Sequence, residues 1–539
     1  MIATNSSPPF TERTQKIMLW VALAIGIAIK SALLYFYALV DGDKGLQSLA
    51  AISIANGNGY ALPEFDLLTH QIKNIPLVEW PPLYSYLLTP FLFFTGFNVE
   101  LSCYLLDVCA GICLLAFLLL LLRKLGFPVW LQALIILFKS AELSSSALIS
   151  FPTDTWATAA VIAAFYFLLC TMKKPTTGIV IAFALSNVLP FYFRYMYLPV
   201  VFVLPVLFTL LQYKDHLFRR YIYLVAGITF TSVVALLLYN WSASEEVVFL
   251  ITSVRGFYPE TLKTMAPVFW ASFINVDFYC MQASLHTPLS YKGFHTLLKA
   301  TGAVVLLVLI MQYVRKFKSL TQQVGVISNF FFYAGALSIS LLLFIVLLSL
   351  MHSPYSIYNT RDFWTYVMEE RYFTVPSMVI MIAACWWMFI ATSRFRIFEI
   401  IARMLFVLIV SIEVSHALYI IYKKSHTDPR HYSAYIYANE QRKLLLKNLF
   451  AEERKKGMDI VLVSDQYGYI MQGAMEGVKI SRNVAALENE FKFSRPTTLY
   501  FVIPSERATH FAPVILKHNF EWIPVSENYY LYKASIIQQ

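Results

Sequence analysis

The residues best able to do chemistry in this 539-residue chain are carboxylates and guanidinium groups at the edges of long apolar runs. Residues 41–60 read DGDKGLQSLAAISIANGNGY, so Asp41 and Asp43 follow directly on the first apolar run. Gly45 to Ala55 has helical spacing, and Gly57-Asn58-Gly59 closes it, as glycine does at a helix C-terminus. Asp43 therefore stands near a helix start, where unpaired amide groups favour a carboxylate. Such a group is either a solvated cap or a general base at the bilayer surface. Asp154, in Ser150-Phe151-Pro152-Thr153-Asp154-Thr155, stands in the tight turn between two apolar runs. It can cap a helix or face the same cavity as Asp43. A carboxylate at the edge of a span is costly against lipid, so protein or water is its expected surrounding. The cations are Arg194 and Arg371, with Arg255 and Lys44 as weaker cases. A guanidinium there grips a phosphate with paired hydrogen bonds. The alternatives are an ion pair, for Arg371 with Glu369 or Glu370, and contact with lipid headgroups.

These groups must be positioned by membrane-spanning helices. Hydrophobic residues make up 58% of the chain and charged residues 14%, against roughly 45–50% and about 25% in soluble domains. Mean hydropathy is +0.61. That composition excludes a water-soluble enzyme, and it excludes disorder, which needs low hydrophobicity and high charge. The net charge is +10, but its basic residues are dispersed through an apolar chain and do not form a nucleic-acid surface. Of six cysteines, Cys103, Cys109, Cys113, Cys170 and Cys385 fall in apolar runs and Cys280 in a loop. No spacing among them suggests a disulfide framework or a zinc site.

Eleven runs are long enough for helical spans, near 17–39, 101–122, 128–148, 152–172, 177–193, 196–213, 221–240, 297–314, 326–350, 374–392 and 404–422. The first is expected to be a retained span, not a cleaved signal. Basic clusters occupy alternate loops: Arg123 and Lys124; Lys173 and Lys174; Lys214, Arg219 and Arg220; Arg315, Lys316 and Lys318; Arg394, Arg396 and Arg403. Basic residues of short loops stay cytoplasmic, which puts the N-terminus inside and, with an odd number of spans, the C-terminus outside. The long loops 40–100, 241–296 and 351–373 then face outward, together with the tail from 425. Arg194 and Arg371 lie on that outer side, against the trend.

The first loop is acidic and includes Glu64, Asp66 and Glu79. It also carries Tyr60 and Trp80-Pro81-Pro82-Leu83-Tyr84, followed by an apolar stretch to Phe94. That stretch reads as a helix lying in the interface, with a twelfth span as the competing reading. In the tail, 434–456 reads as an amphipathic helix, and strands are expected at Ile460–Val463, Thr498–Ile503 and Tyr529–Tyr532. The pattern predicts a small α/β domain over 425–539 after a transmembrane domain over 1–424. It contains no glycine-rich phosphate loop, and no internal repeat stands out. Carboxylates and arginines at the outer face suit one chemistry: transfer of a lipid-linked sugar. A carboxylate deprotonates the acceptor hydroxyl, and cations stabilise the departing lipid phosphate.

The sequence resembles the GT-C superfamily of polytopic glycosyltransferases, in the branch with protein O-mannosyltransferases, lipid A aminoarabinose transferases and bacterial lipopolysaccharide-core sugar transferases. The resemblance covers about residues 15–420 and is densest over 41–96. Asp43 takes the place of the family aspartate, Gly57, Gly59 and Tyr60 match the end of the helix that follows, and Pro81, Pro82, Leu83 and Tyr84 match the proline segment. Asp154 falls at the third-to-fourth span turn, where such proteins often place a second acidic residue, and Arg194 matches an arginine after the fifth span. The sequence departs from the pattern at Lys44, where an acidic residue is usual, and at Leu46 or Gln47, where an aromatic is. With Asp41 two positions before Asp43, the base remains open between them. The Trp-Trp-Asp signature of oligosaccharyltransferases is absent; Trp386-Trp387 lies in a span as a packing pair.

The resemblance implies a multi-pass enzyme of the bacterial inner membrane with a polyprenyl-phosphate-sugar donor. It implies inversion at the anomeric carbon and a lipid, polysaccharide or protein acceptor. It implies no obligatory cofactor and leaves a divalent metal open. The implied roles are Asp43, Asp41 and Asp154 as catalytic carboxylates, Arg194, Arg371, Lys44 and Arg255 on the donor phosphate, and Glu79, Trp80, Tyr84 and Tyr60 in the substrate loop. Two other readings compete. A transporter or lipid flippase would use charged groups within spans, for which Lys139 and Glu142 are the candidates unless they pair with each other. A non-catalytic scaffold would bind a partner through its tail.

Overall fold

The computed structural model describes residues 11–36, 42–78, 80–142, 152–244, 325–351, 373–386, 396–426, 434–464, 466–489, 492–526 and 529–536, with isolated positions between 257 and 311 and at 389. In chain order the first elements are α1 (Glu12–Phe36), α2 (Gly42–Ala55), β1 (Ala61–Phe65), β2 (Ile72–Pro76), α3 (Leu83–Phe94), α4 (Val99–Lys124) and α5 (Val129–Ala141). There follow α6 (Pro152–Lys173), α7 (Thr177–Phe193), α8 (Leu198–Gln212), α9 (His216–Ser244), α10 (Val326–Met351), α11 (Thr374–Trp386) and α12 (Arg396–His426). The tail contributes α13 (Ala434–Lys455), β3 (Asp459–Ser464), α14 (Tyr467–Met475), β4 (Lys479–Ser481), β5 (Thr497–Pro504), α15 (Ala512–Lys517), β6 (Glu521–Ser526) and β7 (Tyr529–Ile536).

Among the described residues, seven helices are long and apolar enough to cross a membrane, and four apolar helices are shorter. Ten of the eleven expected runs fall on these helices; the run near 297–314 lies largely outside the described residues. A helix satisfies all its backbone groups internally, which hydrocarbon demands. The chain is an α-helical polytopic membrane protein carrying a small α/β domain. One detail differs from expectation, and one competing reading falls away. The third span was expected to continue to 148, yet α5 ends at Ala141, because Glu142 turns out of helical geometry with ψ 111°. The stretch ending at Phe94 is α3, with 12 residues. At 1.5 Å per residue it covers about 18 Å, too short for a hydrocarbon core of about 30 Å.

The chain divides into two compact units, one of residues 1–37 and 107–421, the other of 38–106 and 422–539. In the first, α1 lies close against α5 because Gly26 has no side chain; a Cβ there would run into Ser140 Oγ. Helices α6 and α7 form a hairpin. Asn187 Nδ2 donates to the Val201 carbonyl at 3.0 Å, tying α7 to α8. Tyr192 hydroxyl donates to the Ser232 carbonyl at 2.7 Å, tying α7 to α9.

The second unit is built on a five-stranded sheet of order β4-β3-β5-β7-β6. Strand β3 is parallel to both β4 and β5, and β7 runs antiparallel to β5 and β6. The three expected strands lie within β3, β5 and β7. Strand β4 is too short to leave a periodic signal, and β6 contains Pro524, which is tolerated because β6 is an edge. Central β5 is buried almost throughout, so both faces of the sheet need cover. Leu446 and Phe450 of α13 and Tyr469 of α14 pack on one face, against Leu462, Tyr500 and Val502. The other face takes Phe65 and Leu67 from the first loop, packed with Val461, Val463, Leu499 and Phe501. Glu64 beside them accepts from Arg482 Nε at 2.9 Å. A segment nearly four hundred positions upstream thus completes the core of the tail domain.

Candidate functional site

Within the second unit, the segment of densest resemblance is packed into one assembly. Helix α2 begins at Gly42, so the main chain of Asp43 lies in its first turn. The helix ends in a turn where Gly57 (φ +79°) and Gly59 (φ +76°) adopt left-handed geometry that side chains resist. Tyr60 is then directed inward, and its buried hydroxyl donates to the carbonyls of Trp80 at 2.8 Å and Pro81 at 3.3 Å. The double proline starts α3, whose fully buried Tyr84 fixes its inner face. Ser85 Oγ donates to the Gln47 carbonyl at 2.8 Å, strapping α3 to α2. Ser48 Oγ lies 3.4 Å from Cys103 Sγ, joining α2 to the start of α4.

Lys44, expected on a donor phosphate, is buried, its carbonyl accepting from Ser48 Oγ at 2.7 Å. Two loop acids have structural partners. Glu64 pairs with Arg482. Asp66 accepts from Lys73 Nζ at 2.9 Å and from the amides of Leu68 and Thr69, which hold its carboxyl far below the usual range and tie the β1–β2 turn. Asp41, Glu79, Arg255 and Arg371 lie outside the described residues.

In the first unit, Asp154 and Arg194 come together. Asp154 sits in the first turn of α6 with its side chain 0% exposed. Its Oδ2 accepts from Arg194 Nη1 at 3.0 Å, and its Oδ1 accepts from the Tyr197 hydroxyl at 3.5 Å. Arg194 can reach it because α7 ends there: the residue is extended (φ −155°, ψ 128°), and a short 3-10 turn over Tyr195–Tyr197 leads into α8. Trp156 stacks on Phe193 at 5.6 Å, and Asn240 Nδ2 donates to the Tyr195 hydroxyl at 3.0 Å, so α9 also braces the cluster. Arg194 keeps 14% of its side chain exposed. A fully buried carboxylate that holds a partly open guanidinium can orient it toward an anion. Tyr197 was not among the sequence candidates; its hydroxyl is 43 positions from Asp154, and only its place in the aromatic run beside Arg194 hinted at it.

A second buried cluster lies in the same unit. Lys139 Nζ donates to both carboxylate oxygens of Glu142, at 2.8 and 2.7 Å. The two candidates for a transport pathway are therefore paired with each other. Lys30 of α1 is also buried, and its Nζ has no hydrogen-bond partner among the described residues. Among those residues, no group of three or more His, Cys, Asp or Glu side chains is placed to hold a metal ion.

No protein-family profile matches the sequence. No curated protein matches it. Solved structures similar to the chain include ArnT from Cupriavidus metallidurans bound to undecaprenyl phosphate, at 12% identity and a TM-score of 0.46, with 95% of this chain and 97% of that one covered. The apo state of the same ArnT matches at 13% identity and a TM-score of 0.47, covering 97% and 98%. The archaeal oligosaccharyltransferase AglB from Archaeoglobus fulgidus, in complex with an inhibitory peptide and a dolichol-phosphate, matches at 13% identity and a TM-score of 0.45, covering 93% and 71%.

Proposed function

We propose that the chain is an integral membrane glycosyltransferase. It moves a sugar from a polyprenyl-phosphate donor to a lipid, glycan or protein acceptor at the extracytoplasmic face. The observation that carries this reading is the first-loop assembly. The segment of densest resemblance is one braced piece, with Tyr60 bonded to the Trp80 carbonyl and Ser85 to the Gln47 carbonyl, and Asp43 belongs to the first turn of the helix so held. In this reading Asp43, or Asp41 two positions before it, takes the proton of the acceptor hydroxyl. The acceptor oxygen bonds to the anomeric carbon from the face opposite the phosphate. The bond from that carbon to the phosphate oxygen breaks with inversion, and the lipid phosphate leaves with the electron pair. In the first unit, Arg194 held by Asp154 and Tyr197 is a guanidinium suited to a phosphate, the role the resemblance implies for it, with Asp154 as its positioning residue. The dispersion of basic clusters over alternate loops supports a cytoplasmic N-terminus and an outward tail domain, in a bacterial inner membrane.

The test is sugar transfer by purified protein carrying Asp43→Asn or Asp41→Asn, each shown to insert and fold normally. Loss of a general base costs about 10²–10⁴-fold in rate, so one of the two variants is expected to fall by that factor. Undiminished transfer by both rejects the assignment. Movement of a lipid-linked sugar across proteoliposomes without covalent transfer would replace the reading with a flippase.

A further inference from the structure

The second unit contains a pocket of ≈ 110 Å³ that the proposed transfer chemistry does not use. It opens between the C-terminal end of α2 and the β4 edge of the tail domain, with Leu49, Phe65 and Ile480 among its apolar walls. Ser53 lines it and is 2% exposed, and its buried Oγ has no hydrogen-bond partner among the described residues. An unsatisfied buried hydroxyl is costly, and in native proteins it usually meets water or a ligand. Asn56 and Asn58, both exposed, stand at the rim. Each amide offers donors and an acceptor together. Lys479 also lines the pocket, but its Nζ bonds Asp459 Oδ2 at 2.7 Å and lies 5.3 Å from the centre of the Phe65 ring. Its charge is thus compensated, and the pocket has no field to select an anion.

We propose that this pocket binds one uncharged sugar ring of the acceptor. This inference rests on the glycosyltransferase reading and names the substrate class it implies. At ≈ 110 Å³ the pocket is smaller than the volume of about 150 Å³ that admits benzene, so it seats one edge of a pyranose and leaves the rest of the ring at the rim with Asn56 and Asn58. The apolar walls suit the C–H faces of a pyranose. The hydroxyl of Ser53 and the two amides match its hydroxyl groups, which both donate and accept. Ser53 follows Asp43 by ten residues on the same helix, about 15 Å along its axis. A ring seated there would hold an extended glycan acceptor in register with the helix start, and a single-sugar acceptor would not reach both points.

The test is saturation-transfer NMR on the full-length protein in nanodiscs. The probes are uncharged methyl glycosides of hexoses and N-acetylhexosamines, compared with a methyl glucuronide and inorganic phosphate. At least one uncharged glycoside is expected to bind, and its affinity is expected to fall about tenfold in Ser53→Ala and in the exposed double variant Asn56→Ala/Asn58→Ala. Thermal unfolding of these variants should match the parent. The double variant should raise the acceptor KM by a similar factor and leave kcat and polyprenyl-phosphate binding unchanged. Absence of glycoside binding, binding that the variants do not weaken, or preference for the charged probes would overturn the proposal. Failure of the parent protein to bind polyprenyl phosphate or transfer sugar would reject the enzymatic reading instead, since the NMR arm needs no turnover.

Discussion

Replacing Phe65 with alanine tests whether the first loop and the tail domain are one folded body. Phe65 ends β1, is 3% exposed, and packs among Val461, Val463, Leu499 and Phe501 of the sheet. Its ring stacks on Phe493 at 6.4 Å and on His70 at 6.2 Å. Truncating a buried phenylalanine removes its transfer free energy and leaves a cavity, at about 3–5 kcal/mol. For a cooperative unit of this size each kcal/mol lowers the melting temperature by about 2–4 °C, so a drop of roughly 6–20 °C is expected. The control is Ile75→Ala in the paired strand β2, where the side chain is 40% exposed. There the change should stay within about 0.5 kcal/mol. Limited proteolysis of the protein in nanodiscs, run over a temperature series, reads both variants. In Phe65→Ala, cleavage in 61–76 and in 459–504 should begin together at the lowered temperature. Tail-domain cleavage that stays at the parent temperature while the loop becomes sensitive would refute the shared core. Equal behaviour of the two variants would refute it as well.

Two further outcomes follow from buried charge. Glu453 of α13 is buried, which works against its charge, but hydrogen bonds from Lys456, Lys533 and Thr498 hold its carboxyl at about 2 against an ordinary 4.5. Because the folded value lies below the unfolded one, this contribution of about 3 kcal/mol is present above pH 4.5 and is lost as pH falls toward 2; urea unfolding of the tail domain in the full-length protein should lose that pH dependence in Glu453→Gln. For the Lys139–Glu142 pair, Glu142→Gln is expected to destabilise by about 3–5 kcal/mol by leaving buried lysines uncompensated. The double variant Lys139→Met/Glu142→Leu removes one of the two buried lysines and should recover part of that loss in a thermal-shift assay, and a double variant as unstable as the single one would contradict it.

The alternation of basic clusters and the apolar runs made the helices legible in the sequence, because crossing lipid is a local demand that each segment meets alone. The glycine-rich close of α2 and the three strands of the tail were legible for the same reason, since turn geometry and a buried strand leave their marks within a few residues. What tertiary structure decided depends on partners far along the chain. Nothing near Phe65 and Leu67 says that they fill the core of a sheet whose strands begin at Asp459. Nothing local pairs Arg194 with Asp154, forty positions away, or sets Lys30 in an interior shared with Lys139 and Glu142. Composition and periodicity record how a residue meets solvent or lipid, whereas a long-range contact is chosen by the packing of whole elements, which no single segment encodes.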